Sequence, residues 1–208
     1  MHIKTKGIVL KREIFKEASK LLTMYTLEFG KIKAIAVGSK KINAKLLFAT
    51  EPLVESNFMF LSNKIRNFNK IIGGNILNTF YNLRNDFKKY FHACKILETV
   101  NSLTAEHSKN EKKYYLIIRT LNLLEKVNNP DLIYYAFLFR FLKLCGYELV
   151  FDQKFYYNDI CLNLSGLSSD KIDKLNLSDK VKKEIDTYCK KLLLNIVEKP
   201  LNTWKVNL

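Results

Sequence analysis

The stretch KLLTMYTLEFGKIKAIAV, Lys20 to Val37, decides how the first third of the chain is read. Two β-favouring runs, Lys20 to Leu27 and Lys31 to Val37, flank Leu27-Glu28-Phe29-Gly30-Lys31. Gly30 can take the positive φ that closes a tight turn at little steric cost, so the stretch predicts a β-hairpin. Working outward, similar runs lie at Ile3 to Lys11, at Leu46 to Leu61 with room for a bend, and at Lys64 to Ile72. Five short antiparallel strands separated by charged or Gly-containing turns predict a small closed barrel, which leaves no sheet edge free to aggregate.

The pattern changes at Gly73-Gly74, after which no glycine interrupts the chain until Gly146. Ile76, Leu77, Phe80, Leu83, Phe87, Phe91, Cys94 and Leu97 recur at helical spacing, predicting an amphipathic helix over Asn75 to Leu103. Lys113 to Val127 and Asp131 to Cys145 repeat the pattern, with Pro130 suited to a helix start and Gly146 to a helix end. Residues 148–166 read as irregular and aromatic-rich; Ser168 to Leu175 and Ser178 to Val197 read as helices, Ser178-Asp179 being a cap candidate. The expected architecture is α+β with two domains, a β-barrel over 1–74 and a helical bundle over 75–208.

With 208 residues, 48% of them hydrophobic, the chain has ample material for packed cores. Its 35 Lys and Arg against 20 Asp and Glu give a net charge of +15. Such an excess fits a polyanionic partner, nucleic acid or anionic membrane, and fits equally a genome that writes Lys and Asn at polar positions. No apolar run approaches the roughly 20 residues that span a bilayer, and the first residues do not resemble a signal peptide, so a cytoplasmic protein is expected. Cys94, Cys145, Cys161 and Cys189 stand singly, which suggests reduced thiols and neither a disulfide framework nor a zinc knuckle.

Charge is concentrated at the N-terminus. Residues 1–45 hold 11 Lys and Arg against three Glu, over half of the net excess in less than a quarter of the length. Lys11, Arg12, Lys16 and Lys20 surround the first inter-strand loop, Lys31 and Lys33 alternate on one strand, and Lys40, Lys41 and Lys45 crowd the loop after Gly38. On one side of a barrel such cations can follow a phosphate backbone, releasing counterions; a solvated face is the plainer reading. Phe15, among these lysines, suits either a stacking platform for an unpaired base or a plug for the barrel end. The histidines His2, His92 and His107 fall in no metal or triad spacing, and no Gly-rich phosphate loop is present. The residues point to binding rather than catalysis.

Four phrases, Gly7-Ile8-Val9-Leu10-Lys11, Glu17 to Thr23 (EASKLLT), Tyr25 to Lys31 (YTLEFGK) and Ala36 to Lys41 (AVGSKK), resemble in order and spacing the opening of the RecO family of bacterial recombination mediators. Glu51-Pro52-Leu53, Phe139 to Tyr147 (FRFLKLCGY) and Lys199 to Thr203 (KPLNT) extend the resemblance along the chain. It implies an oligonucleotide/oligosaccharide-binding (OB) fold followed by a helical domain. It further implies a nucleoid-associated mediator that binds single- and double-stranded DNA, anneals complementary strands, and with RecR promotes RecA loading on DNA coated by single-stranded-DNA-binding protein. That protein's acidic, hydrophobic tail is expected on the helical domain, with Arg119, Lys126, Arg140 and Lys143 as candidates. The chain departs from many relatives in lacking their four-cysteine zinc site: between Gly146 and Gly166 only Cys161 is present. No zinc or other cofactor is expected, the turn being held instead by Phe151, Phe155, Tyr156 and Tyr157. Two other readings stay open at this stage, a protein-interaction scaffold docking a partner on its helices, and a metal-dependent enzyme with ligands from distant positions.

Overall fold

β2 (Ser19–Thr26) and β3 (Gly30–Ala36) form the expected hairpin, with Gly30 at φ +67°. Thr26 fastens the turn, its Oγ1 accepting from the Phe29 N–H at 3.2 Å and donating to the Gly30 carbonyl at 2.9 Å. The computed structural model describes residues 2–15, 17–39, 46–61, 69–147, 157–197 and 200–205.

β1 (His2–Phe15) pairs antiparallel with β2 on one side and with β4 (Glu55–Leu61) on the other. β5 (Asn69–Asn78) runs antiparallel to β4 and parallel to β3, which closes the sheet in the order β1-β2-β3-β5-β4. This is a five-stranded OB-fold barrel. Strand alternation sends Ile32, Ala34 and Ala36 of β3 inward to meet Val9, Leu22, Met24, Phe58, Phe60 and Ile71, with Leu46 packed against them. Each large side chain buried in that core contributes roughly 1.5–3 kcal/mol.

Two expectations from periodicity are corrected. The run from Leu46 does not begin a strand: residues 46–53 make consecutive turns, with Thr50 N–H bonded to the Leu46 carbonyl and Glu51 N–H to that of Phe48. Pro52 has no N–H for a ladder and Leu53 sits at φ 62°, so after Leu53 N–H and the Val54 carbonyl have bonded Val9 the strand register starts at Glu55, opposite Ile8. Nor does a helix begin at Asn75. β5 carries on through the two glycines to Asn78, because Asn75, Ile76 and Asn78 still have partners on β4. The chain then takes a positive φ of 46° at Phe80, passes through a 3₁₀ turn (Tyr81–Asn85), and enters α1 (Phe87–Leu103) with Asp86 Oδ1 accepting from the Lys89 N–H. Ile76, Leu77 and Phe87 are exposed as a result, and α1 buries His92, Ala93, Lys95, Ile96, Thr99 and Val100 together with the expected Leu97.

Residues 1–81 and 104–114 form one compact unit; 82–103 and 115–208 form the other. The 74/75 boundary expected from the glycine pair therefore falls inside β5. The segment after α1 returns to the barrel: His107 N–H bonds the Lys31 carbonyl, Tyr25 Oη the Asn110 carbonyl, and Tyr114 Oη donates to buried Glu55 at 2.7 Å.

In the second unit, α3 (Pro130–Leu144) is buried around most of its circumference and packs against α1, α4 (Asn158–Gly166), α5 (Ser169–Asp173) and α6 (Asp179–Ile196). α2 (Glu111–Leu124) starts in the first unit and continues into the second. Pro130 takes the first turn of α3 as expected. At the other end Gly146 stands at φ +87°, its N–H bonded to the Lys143 carbonyl and that of Tyr147 to the Leu142 carbonyl, a Schellman closure. Ser178 caps α6, accepting from the Val181 N–H. Residues 158–166, expected to be irregular, are helical; Phe151, Phe155 and Tyr156 lie outside the described residues. None of the described helices is long and apolar enough to cross a membrane.

Candidate nucleic-acid interface

The register of β1, β2 and β3 decides where their cations point. A bulge at Leu10 shifts the β1–β2 pairing, so Lys11 lies opposite Thr23 and Thr23 opposite Lys33. Lys33 alternates with the core residues Ile32 and Ala34, which places this row on the outer face of the barrel. Lys31 stands one pleat along, opposite Tyr25. Exposed Lys4 and Lys6 alternate in phase with Ile8, also opposite Tyr25, and extend the same face. They were absent from the expected set, although the Lys-Thr-Lys alternation at residues 4–6 is its own signal.

The carboxylates around this face are engaged with it. Lys11 pairs with Glu13 at 3.0 Å, both exposed, and Lys33 with Glu106 at 2.6 Å. The Lys33 ammonium holds the Glu106 carboxyl below its usual range, whereas burial lowers the Lys31 ammonium against the pull of Glu106.

Arg12 and Lys20 behave differently from expectation. Past the bulge, Arg12 faces the side of Leu22, and its guanidinium meets Glu51 Oε1 at 2.7 Å. Lys20 is buried: its ammonium donates to the same Glu51 oxygen at 2.8 Å, to Thr50 Oγ1 at 3.2 Å and to the Leu47 carbonyl at 3.3 Å. It fastens the 46–51 turns over the barrel end and presents no charge to solvent. Phe15 is half-buried. Lys16, Lys40, Lys41 and Lys45 lie outside the described residues.

In the helical unit, Arg119, Lys126 and Lys143 are exposed on separate stretches, and Arg140 donates to the Ser165, Leu164 and Leu167 carbonyls, closing the end of α4. The concave feature lies elsewhere. A cleft of about 740 Å³ is walled by α1, α3, α6 and the 3₁₀ turn Asn202–Lys205, the last tied to α1 through Glu98. Lys88, Lys95, Lys182, Lys183 and Lys190 line it with Phe91, Tyr135 and Trp204. Asp186 is held below the ordinary carboxylate range because Lys95 and Lys190 outweigh its burial. Asp131 is likewise held low, burial being outweighed by hydrogen bonds from His92 and Lys88. Burial keeps His92 below its ordinary value, and with Nε2 assigned as donor to Asp131 its Nδ1 is buried without a partner among the described residues, as is Thr203 Oγ1. No single motif announces this cleft, whose residues come from four separated segments.

Cys161 and Cys189 are buried, and burial pushes the Cys161 thiol up to about 12. Among the described residues no three His, Cys, Asp or Glu converge as metal ligands. With Cys161 alone between Gly146 and Gly166, the chain does not supply the donor set of a four-cysteine zinc site there.

Comparison with known proteins bears on both units. Residues 1–80 match the profile "Recombination protein O N terminal" and residues 84–156 the profile "Recombination protein O C terminal". Among similar proteins, each called DNA repair protein RecO, that of Caldanaerobacter subterraneus is 28% identical over 73% of this chain and 61% of its own length. That of Caldicellulosiruptor bescii is 31% identical over the same shares, and that of Alkaliphilus metalliredigens 36% identical over 61% of this chain and half of its own length. The chain thus spans about three fifths of the first two relatives. Two consecutive profiles that meet at the end of the barrel, matched over most of the chain, establish that it belongs to the Recombination protein O (RecO) family.

Proposed function

We propose that this chain is a non-catalytic DNA-repair and recombination mediator, which captures single- and double-stranded DNA on the outer face of its barrel. The observation that carries this reading is the row formed by Lys11 and Lys33 across β2, with Lys31, Lys4 and Lys6 on the same face. Cations on one side of a barrel follow a phosphate backbone and read no bases, which suits capture of any sequence. Annealing needs little beyond holding two polyanions together while their repulsion is screened. Arg12, from the barrel end past the bulge, and Phe15, Lys16, Lys40, Lys41 and Lys45, by their place in the sequence, are proposed to contact the same DNA, whereas Lys20 acts through the turns it positions.

As partners we infer, from the resemblance to the family, RecR and single-stranded-DNA-binding protein through its acidic, apolar tail, so that RecA is loaded on coated DNA in the bacterial cytoplasm. We assign that tail to the helical cleft rather than to Arg119, Lys126, Arg140 or Lys143, because the cleft combines lysines with aromatic walls. One observation favours the rival scaffold reading: Lys11, Arg12 and Lys33 already have carboxylate partners. Fluorescence anisotropy with labelled single strands and duplexes tests the proposal. Micromolar or tighter binding that weakens steeply with salt is expected. Reversal of Lys11, Arg12, Lys40 and Lys41 to Glu abolishes it on the DNA reading and leaves function intact in a scaffold.

A further inference from the structure

We propose that Phe48 is a platform on which unstacked bases rest, and that it gives this barrel a preference for single-stranded over double-stranded DNA. This rests on the DNA-binding reading above and adds the residue that separates the two substrates. Phe48 is 69% exposed, unusual for a phenylalanine whose neighbours in the same turn are tucked in: Ala49 is buried and Leu46 packs on the barrel core. The turn is held firmly. Thr50 Oγ1 donates to the Leu46 carbonyl at 2.7 Å, Glu51 N–H bonds the Phe48 carbonyl at 3.1 Å, and the Lys20 ammonium grips Leu47, Thr50 and Glu51 from below. An exposed aromatic ring on a fastened turn gives up little conformational entropy on contact.

Lys20 also ties together the surroundings of that ring. In the strand register it stands opposite Ile14 on one side and Ala36 on the other, and Val37 follows Ala36. Ile14 is 79% exposed and Val37 53%. Phe48, Ile14 and Val37 thus lie on segments that meet at one end of the barrel, with Arg12 two and Lys11 three residues before Ile14 along β1 and Glu13, paired with Lys11, between them. Apolar surface interleaved with cations matches a single strand, whose phosphates meet the cations while its bases turn toward the ring. A duplex keeps its bases stacked inside and offers the ring nothing. Phe15, expected to play this part, is half-buried and less accessible.

The test uses the full chain and its Phe48→Ala, Phe48→Leu and Phe48→Tyr variants, with labelled oligothymidine and a duplex of equal length, by anisotropy across a salt series. Phe48→Ala is expected to weaken single-strand binding about tenfold and duplex binding less than about twofold, with the salt slope unchanged because no phosphate contact is lost. Phe48→Tyr keeps the ring and restores the affinity; Phe48→Leu does not. Equal loss on both DNAs, no loss on either, or full retention by Phe48→Leu overturns the proposal, the last result pointing to plain apolar docking of a protein. A wild-type chain that binds neither DNA overturns the DNA reading itself, an outcome distinct from a silent Phe48→Ala.

Discussion

The ammonium of Lys20 lies 2.8 Å from Oε1 of Glu51, beneath a turn that leaves only 4% of the lysine exposed. A basic residue from the most charged part of the chain is thereby a structural fastening. Lys20→Met should destabilise the barrel by about 1–3 kcal/mol, since Glu51 keeps Arg12 but Thr50 and the Leu47 carbonyl lose their donor. Urea denaturation measures the loss, and the salt dependence of DNA binding should stay as in the wild type. A Lys20→Met variant of full stability contradicts the assignment.

Gly30 is required twice over. Its φ of +67° is costly for any side chain, and a Cβ there would lie 2.1 Å from the Ser108 carbonyl oxygen. Gly38 has the same φ with nothing within 4 Å of an added Cβ. Gly30→Ala should therefore cost about 3 kcal/mol or more and Gly38→Ala about 1–2. Comparing the melting temperatures of the two variants checks the ranking; equal shifts contradict the close approach of the 104–114 segment to the hairpin.

Stability should fall in mild acid because of His92. Burial, reinforced by Lys95 and Lys88, holds this imidazole below its ordinary 6.5 despite the hydrogen bond to Asp131. Between the lowered value and 6.5 the unfolded chain binds more protons than the folded one, so stability rises with pH across that window and is lost as pH drops through it. Asp131 acts lower down: its depressed pKa adds stability that is present above the unfolded carboxylate range and disappears only in strong acid. Urea midpoints at about pH 7.5 and 5.5 should differ less for His92→Gln than for the wild type. An identical drop in both assigns the acid sensitivity elsewhere.

Much of the barrel was legible in the chain because strand alternation and the Gly30 turn are local signals, and β2 and β3 lie within a residue of their expected bounds. The Leu46 run misled because its apolar residues are divided between a turn that caps the barrel and the strand that follows. Ile76 to Phe87 misled by accident of spacing, since the strand end, the positive-φ Phe80 and the 3₁₀ turn together imitated one helical face. α1 shows the converse. Its buried stripe includes His92 and Lys95, which periodicity discounts and which are buried because Asp131 and Asp186, from distant helices, neutralise or bond them. For the candidate interface, charge density singles out the N-terminal region but does not give the orientation of each cation: the bulge at Leu10 and the contact of Lys20 with Glu51 depend on cross-strand and loop partners.

Phosphates held on the outer face of β1–β3 would make single-strand affinity fall steeply with salt, and the slope of that fall is the most direct test. Each phosphate released from a single strand flattens the slope of log affinity against log salt by about 0.7, so a Lys11→Glu, Lys33→Glu double variant should flatten it by more than about 1. Its urea stability should stay near wild type, because both lysines make only exposed or half-exposed pairs. A slope unchanged in a folded double variant, or wild-type binding no stronger than that of an unrelated protein of equal net charge, contradicts the account.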